Sequence, residues 1–137
     1  MLKVKLLIPG AKAPTRERKS AGYDLYLPED VKLLPHGVRK IPIGIASEFM
    51  PGYVAVIKDR SSLGVKGLHV FAGVIDSDYR GEWSVVIYNA TFDTLVLKAG
   101  DRIAQFLILA APHYDVQVVP ELSETARGSG GFGSTGT

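Results

Sequence analysis

An all-β domain, a sandwich or barrel of short strands, is the fold this sequence predicts. Three observations carry that reading. Apolar residues recur with period two, or in runs of about five to ten residues rich in Val, Ile, Leu, Tyr and Phe. Proline and glycine punctuate every run. No window of about twelve residues carries an uninterrupted i, i+3, i+4, i+7 apolar stripe, so no long amphipathic helix is expected.

The runs follow one another along the chain. "KVKLLI" (3–8) alternates and stops at Pro9-Gly10. "YDLYL" (23–27) stops at Pro28, and "VRKIPIGIASEF" (38–49) lies between Pro35 and Pro51-Gly52. "YVAVIK" (53–58), "LHVFAGVI" (68–75) and "WSVVIYNA" (83–90) are separated by Gly64, Gly67 and Gly81. "TLVLK" (94–98) and "IAQFLILA" (103–110) flank Gly100, and "DVQVV" (115–119) lies between Pro112 and Pro120. Nine or more such strands with tight turns fit a sandwich or barrel. Residues 1–120 are read as one domain. Residues 121–137 are polar and glycine-rich, cannot join a core, and are expected to form a mobile arm.

Bulk properties narrow the function. The apolar fraction is 46% and the charged fraction 22%, ordinary values for a globular domain. No run of about 18 apolar residues is available to span a membrane, and the start "MLKVKLLIPG" is too short and too charged for a secretory signal. There is no cysteine, which removes disulfides and thiolate chemistry and fits a reducing setting, the cytoplasm or, for a viral chain, the interior of a host cell. A net charge of +2 argues against general nucleic-acid affinity. His36, His69 and His113 share no ligand spacing, so zinc is not expected.

Several polar stretches interrupt the strand pattern. Asp24 sits in "AGYDLY", within an otherwise apolar strand, where it reads as an outward-facing or turn aspartate. "KDRSSLGVKG" can deliver the Arg60 guanidinium, two hydroxyls and backbone N–H groups to one phosphate, or be a solvated loop. Asp76 follows the apolar run Val70 to Ile75 as a turn former or a positioned base, with Asp78-Tyr79-Arg80-Gly81 as a tight turn. Gln105 lies in a strand that reads as buried on both faces, so its amide needs a partner. Asp101 and Arg102 are expected to make a turn and an ion pair, and Trp83 and Tyr88 to pack in a core or interface.

The tail "RGSGGFGSTGT" (127–137) nearly matches a Walker A loop over Gly128 to Thr135, with Ser134 in place of the lysine. Its context does not match, because such a loop must follow a strand and open a helix. What remains is a set of components: glycines that turn N–H groups toward an anion, Arg127 for phosphate, and Phe132 for a base.

Five stretches in one order, "AGYDLY", "RSSLGVKG", "GVIDSDYRGEW", "GDRIAQFLI" and "RGSGGFGSTGT", resemble the motifs of the trimeric dUTPase family. The resemblance runs from about residue 20 to residue 137. It implies a distorted, jelly-roll-like β-barrel (the β-clip), a homotrimer with sites shared among three chains, and magnesium-dependent hydrolysis of dUTP to dUMP and pyrophosphate. It implies that Asp76 positions the attacking water and that Gln105 helps hold that water and the α-phosphate. Arg60, Ser61, Ser62 and Gly64 would contact phosphates. The backbone of Gly73, Val74 and Ile75, in a β-hairpin, would read uracil, and Tyr79 would pack under the deoxyribose. Asp24 would anchor magnesium through its water shell. Arg127, Phe132, Gly133, Ser134 and Thr135 would close over the nucleotide. Serine stands at 62 where many members have glycine, and Val70 stands where some carry a uracil-contacting asparagine. A dCTP deaminase of the same fold would need a glutamate at the position of Val86, and that apolar residue removes its chemistry. A nucleotide-binding or capsid-like barrel without turnover is disfavoured by the presence of Asp76, Tyr79, Gln105 and the arm together.

Overall fold

The computed structural model describes residues 1–131. These residues form eleven strands and one short helix: β1 (Lys3–Leu6), β2 (Tyr23–Tyr26), β3 (Val31–Leu33), β4 (Val38–Pro42), β5 (Ile45–Glu48), β6 (Tyr53–Lys58), α1 (Ser61–Gly64), β7 (Leu68–Phe71), β8 (Val74–Asp76), β9 (Ser84–Asn89), β10 (Leu95–Leu97) and β11 (Arg102–Ala110). The all-β expectation holds. Every ladder is antiparallel, in a four-stranded sheet β2-β11-β6-β8, a three-stranded sheet β4-β9-β7, and the pairs β1-β5 and β3-β10.

Period two appears directly as burial. In β6, Ala55 and Ile57 are buried while Val54 and Val56 are half-exposed; in β9, Val85, Ile87 and Asn89 point inward. The inward faces meet around Phe106, which stacks on Tyr23 at 5.0 Å and meets the Trp83 ring edge-on at 5.1 Å. Trp83, Phe106, Leu25, Ile57, Ile87 and Ile103 are all buried. Fully burying each such side chain contributes about 1.5–3 kcal/mol.

Three expected runs divide or disappear. "VRKIPIGIASEF" breaks into β4 and β5 at Gly44, whose φ is +70° and where a Cβ would sit 2.6 Å from Ile8 Cγ1. "LHVFAGVI" breaks into β7 and β8 at Ala72 and Gly73, with φ of 56° and 90°. β7 and β8 lie in different sheets, so this turn is a corner between sheets and not the hairpin expected from sequence. "DVQVV" forms no strand: Val116 and Val118 are each 95% exposed, and no strand follows Ala110 among the described residues. β3, in contrast, was too short to stand out from its polar neighbours.

Candidate functional site

β2, β11 and the end of β6 build one polar cavity of about 220 Å³, lined by Glu17, Gly22, Asp24, Arg60, Arg102 and Gln105, with Ser20 and Ser61. Asp24 is its centre. Its Oδ1 accepts from Arg60 Nε at 2.8 Å and its Oδ2 from Arg102 Nη1 at 3.1 Å. The expected Asp101–Arg102 pair does not form. Arg102 turns to Asp24, and the Asp101 carboxylate instead accepts from the Lys98 backbone N–H at 2.8 Å. A register shift between Arg102 and Ala104 explains the change. This bulge lets Ile103 and Ala104 both face the core, at 1% and 0% exposure, and re-aims the polar residues on either side. Gln105 then stands directly across from Asp24 in the ladder.

Gln105 is half-buried, and its amide has the partner the sequence demanded: Nε2 donates to the Asp59 carbonyl at 2.9 Å. Its Oε1 lies against Gly22, where any Cβ would be only 2.3 Å away. Arg60 precedes α1 and also donates to Ser62 Oγ at 3.4 Å. The Arg-Ser-Ser segment is therefore a braced corner, with its guanidinium already oriented by a carboxylate.

A second cavity, of about 250 Å³, lies along β8 and is lined by Gly73 to Asp76, Tyr79, Lys40, Glu82 and Ser84. β8 is an edge strand, with Val74 65% exposed. Ile57 N–H donates to the Gly73 carbonyl at 2.7 Å. By the alternation of an antiparallel ladder, the peptide groups of Val74 face the open edge. Gly73 is required here because a Cβ would sit 2.8 Å from that of Ile57. The turn closes with Tyr79 N–H donating to the Asp76 carbonyl at 3.2 Å. Tyr79 hydroxyl donates to the Glu82 carbonyl at 3.2 Å, and its ring folds back over Gly81, which has no Cβ to obstruct it. The exposed Asp76 carboxylate accepts no hydrogen bond among the described residues, so its lone pairs are available to solvent or ligand.

The two cavities share no residue. Gln105 pairs with Lys58 at one end of β6, and Asp76 with Val54 at the other. Two strand spacings and four residues of rise put their Cα atoms roughly 16 Å apart within one chain. Asp24, Arg60, Ser61 and Gln105 are thus brought together, as are Gly73, Val74, Ile75, Asp76 and Tyr79, but the two groups are not. Arg127 is exposed and donates from Nε to its own neighbour Gly130 at 2.9 Å. Phe132, Gly133, Ser134 and Thr135 lie outside the described residues. Sequence reasoning missed Arg102, Asp59, Glu17, Lys40 and Glu82. A cation three residues before the polar Gln105 in an otherwise apolar strand could have suggested Arg102; the others carry no local signal.

No group of three or more His, Cys, Asp or Glu side chains is placed to hold a metal among the described residues. The donor set does fit an ion carried mainly by phosphates and water. Each Asp24 oxygen keeps a lone pair beyond its arginine, and Glu17 lines the same cavity. Magnesium retains several waters and needs only one or two carboxylates.

A dUTPase family model matches residues 10–136. A deoxyuridine 5′-triphosphate nucleotidohydrolase of Paramecium bursaria Chlorella virus 1 is 46% identical over 137 residues, covering 98% of this chain and 97% of that protein. The protein of the same description from Arabidopsis thaliana is 45% identical, covering 98% and 82%. Among solved structures, a Staphylococcus bacteriophage 80alpha dUTPase mutant with dUpNHpp superposes with a TM-score of 0.93 at 28% identity, over 100% of this chain and 99% of that one. A mutant dUTPase from phage phi11 of S. aureus, in which a structural Mg(II) ion is coordinated, gives a TM-score of 0.84 at 26% identity, over 90% and 99%.

Proposed function

We propose that this chain, which belongs to the dUTPase family and hydrolyses dUTP to dUMP and pyrophosphate, does so at sites that no single chain completes. The observation that carries this is the separation of Asp76 from Gln105 by roughly 16 Å along one sheet. One attacking water cannot touch both. A homotrimer of jelly-roll-like barrels, in which the β8 edge of one chain meets the Asp24–Arg60–Gln105 cavity of a second, would bring them together. The arm, residues 121–137 in this reading, would come from a third. The exposed Val116, Val118 and Leu122 support burial of the arm and of the chain leading into it against another copy.

Each residue then has a task. The open-edge N–H and C=O of Val74 read uracil, with Gly73 and Ile75 fixing them. Cytosine presents an amino group and a bare N3 to that edge and leaves it unpaired. Tyr79, held by Glu82 and Gly81, packs under the sugar where a ribose hydroxyl would need space. Asp76 takes a proton from the water as it attacks the α-phosphorus. Gln105 orients that water. Arg60, Ser61, Ser62 and Gly64 hold phosphate oxygens. Asp24, through water, would hold a magnesium ion, which when bound would supply charge neutralisation for the phosphates. Arg127, Phe132, Gly133, Ser134 and Thr135 cover the bound nucleotide and exclude bulk water.

Subunit mixing tests the shared site. Asp76→Asn chains and Gln105→Leu chains, each nearly inactive alone, are unfolded and refolded together. Random trimers regain activity in about a quarter of their sites, because some pair the intact Asp76 of one chain with the intact Gln105 of another. No recovery in demonstrably mixed trimers overturns the shared site. Pyrophosphate release from dUTP, dCTP, dTTP and UTP checks the substrate.

A further inference from the structure

We propose that Asp59 is a positioning residue for hydrolysis, holding Gln105 in its working orientation through the carbonyl of its own peptide; this rests on the reading that Gln105 serves the reaction. Asp59 is the first residue beyond the β6 ladder, immediately before Arg60. Lys58 is the last residue of β6 to pair with β11, so the residue 59 carbonyl has no strand pairing to fix it. The side chain supplies what the ladder does not. Oδ1 accepts from the backbone N–H of Val70, and Oδ2 lies 2.8 Å from His69 Nδ1. A carboxylate offers only lone pairs, so Nδ1 carries the proton and donates. Both oxygens are thereby tied to β7, in the other sheet.

The pinned carbonyl decides which end of the Gln105 amide faces the cavity. Nε2 donates to it at 2.9 Å. A flipped amide would set two carbonyl oxygens against each other with no proton between them. Oε1 must therefore point toward Gly22 and the cavity, and Gln105 presents an acceptor to the attacking water. The water's second proton is fixed by Gln105 while Asp76 takes the first. Loss of the Asp59 anchor frees the carbonyl, and the amide with it, by the kind of displacement of about 1 Å that costs on the order of 100-fold in rate.

The test is a set of steady-state measurements on full-length chains. Asp59→Ala, Asp59→Asn and His69→Ala are each made in the wild-type and in the Gln105→Leu background, and kcat and KM for dUTP are measured. Asp59→Ala lowers kcat about 10- to 100-fold with KM little changed. Asp59→Asn keeps most of kcat, since its oxygen still accepts from Val70 and its amide can donate to His69 Nδ1 in the tautomer that carries the proton on Nε2. His69→Ala, at an exposed side chain, gives a smaller loss and supplies the test if Asp59→Ala does not fold. In the Gln105→Leu background none of the three lowers kcat further. Equal losses in both backgrounds, or a rise in KM alone, overturn the proposal and leave Asp59 as a brace for the phosphate loop. A Gln105→Leu enzyme with normal turnover overturns the role of Gln105 itself, a separate failure visible in that single variant.

Discussion

Replacing Gly22 by alanine separates fold from chemistry within one methyl group. A Cβ at residue 22 would lie 2.3 Å from Gln105 Oε1, 3.1 Å from its Cδ and 3.3 Å from its Cβ. Ordinary contact begins near 3.4 Å, so the oxygen must retreat by about 1 Å. The retreat is cheap for the fold, because the obstructing atom ends a flexible side chain, and Gly22 lies outside the positive-φ region. Alanine also narrows the unfolded ensemble, worth about 0.4–1 kcal/mol in favour of the native state. Melting should thus be unchanged or slightly later. The rate should not survive: a displacement of about 1 Å at a reacting group costs on the order of 100-fold, or about 2.7 kcal/mol of barrier. Pyrophosphate release at saturating dUTP gives kcat, and a thermal melt on the same sample gives stability. Wild-type kcat would show that Gln105 need not stand where it does. A melt lowered by many degrees would show that the collision is borne by the backbone instead.

Four further outcomes follow from the same geometry. Asp76→Asn should lose about two to four orders of magnitude in kcat while still binding dUTP, because the proposed mechanism makes this group the base and not a phosphate contact; single-turnover rates and equilibrium binding check it, and near-normal turnover would reassign the base. Tyr79→Ala should narrow the preference for dUTP over UTP, and an equal loss on both would show that the ring does not select the sugar. Deleting residues 127–137 should leave a folded trimer by light scattering with very slow turnover, and a fully active truncated enzyme would remove the arm from the mechanism. Asp30 accepts from Lys98 and the Ala99 N–H, which holds its carboxyl below the usual carboxylate range. A carboxyl lowered in the folded state stabilises above its unfolded value and loses that contribution as pH falls through the folded one. The melting difference between wild type and Asp30→Asn should therefore be small but present at neutral pH and vanish in acid; a difference that grows in acid would contradict the pairing.

The class of fold was legible because period-two burial is a local property: Ala55, Ile57, Val85 and Ile87 announce their facing in their own segments. The sheets were not legible in the same way. Nothing within "LHVFAGVI" says that Phe71 and Val74 belong to different sheets, since that depends on Ile57 lying behind Gly73. "DVQVV" alternates as well as any true strand, yet finds no neighbour to pair with among the described residues. At the site, Asp24 and Gln105 stood out as polar residues in apolar strands. Asp59 did not, because it acts through a peptide oxygen that every residue has. Arg102 was assigned to the wrong carboxylate, because a bulge displaces the register that sequence spacing assumes.

The crowding of charge around Asp24 bears on how a nucleotide arrives. Two arginines in a cleft suggest an anion trap with a long reach. Here the formal charges of Arg60 and Arg102 are cancelled by those of Asp24 and Glu17 lining the same cavity. Such a cleft projects little net field into solvent, so it neither accelerates encounter much nor makes encounter steeply dependent on salt. Free orthophosphate and sulfate gain little by entering, since they must compete with a carboxylate already seated on both guanidiniums. In the proposed shared site, a ligand that also offered a base to the β8 edge of a second chain would have a further reason to stay. On the proposed reading, such a cavity would recognise a whole molecule at contact range and hold small anions such as phosphate only weakly.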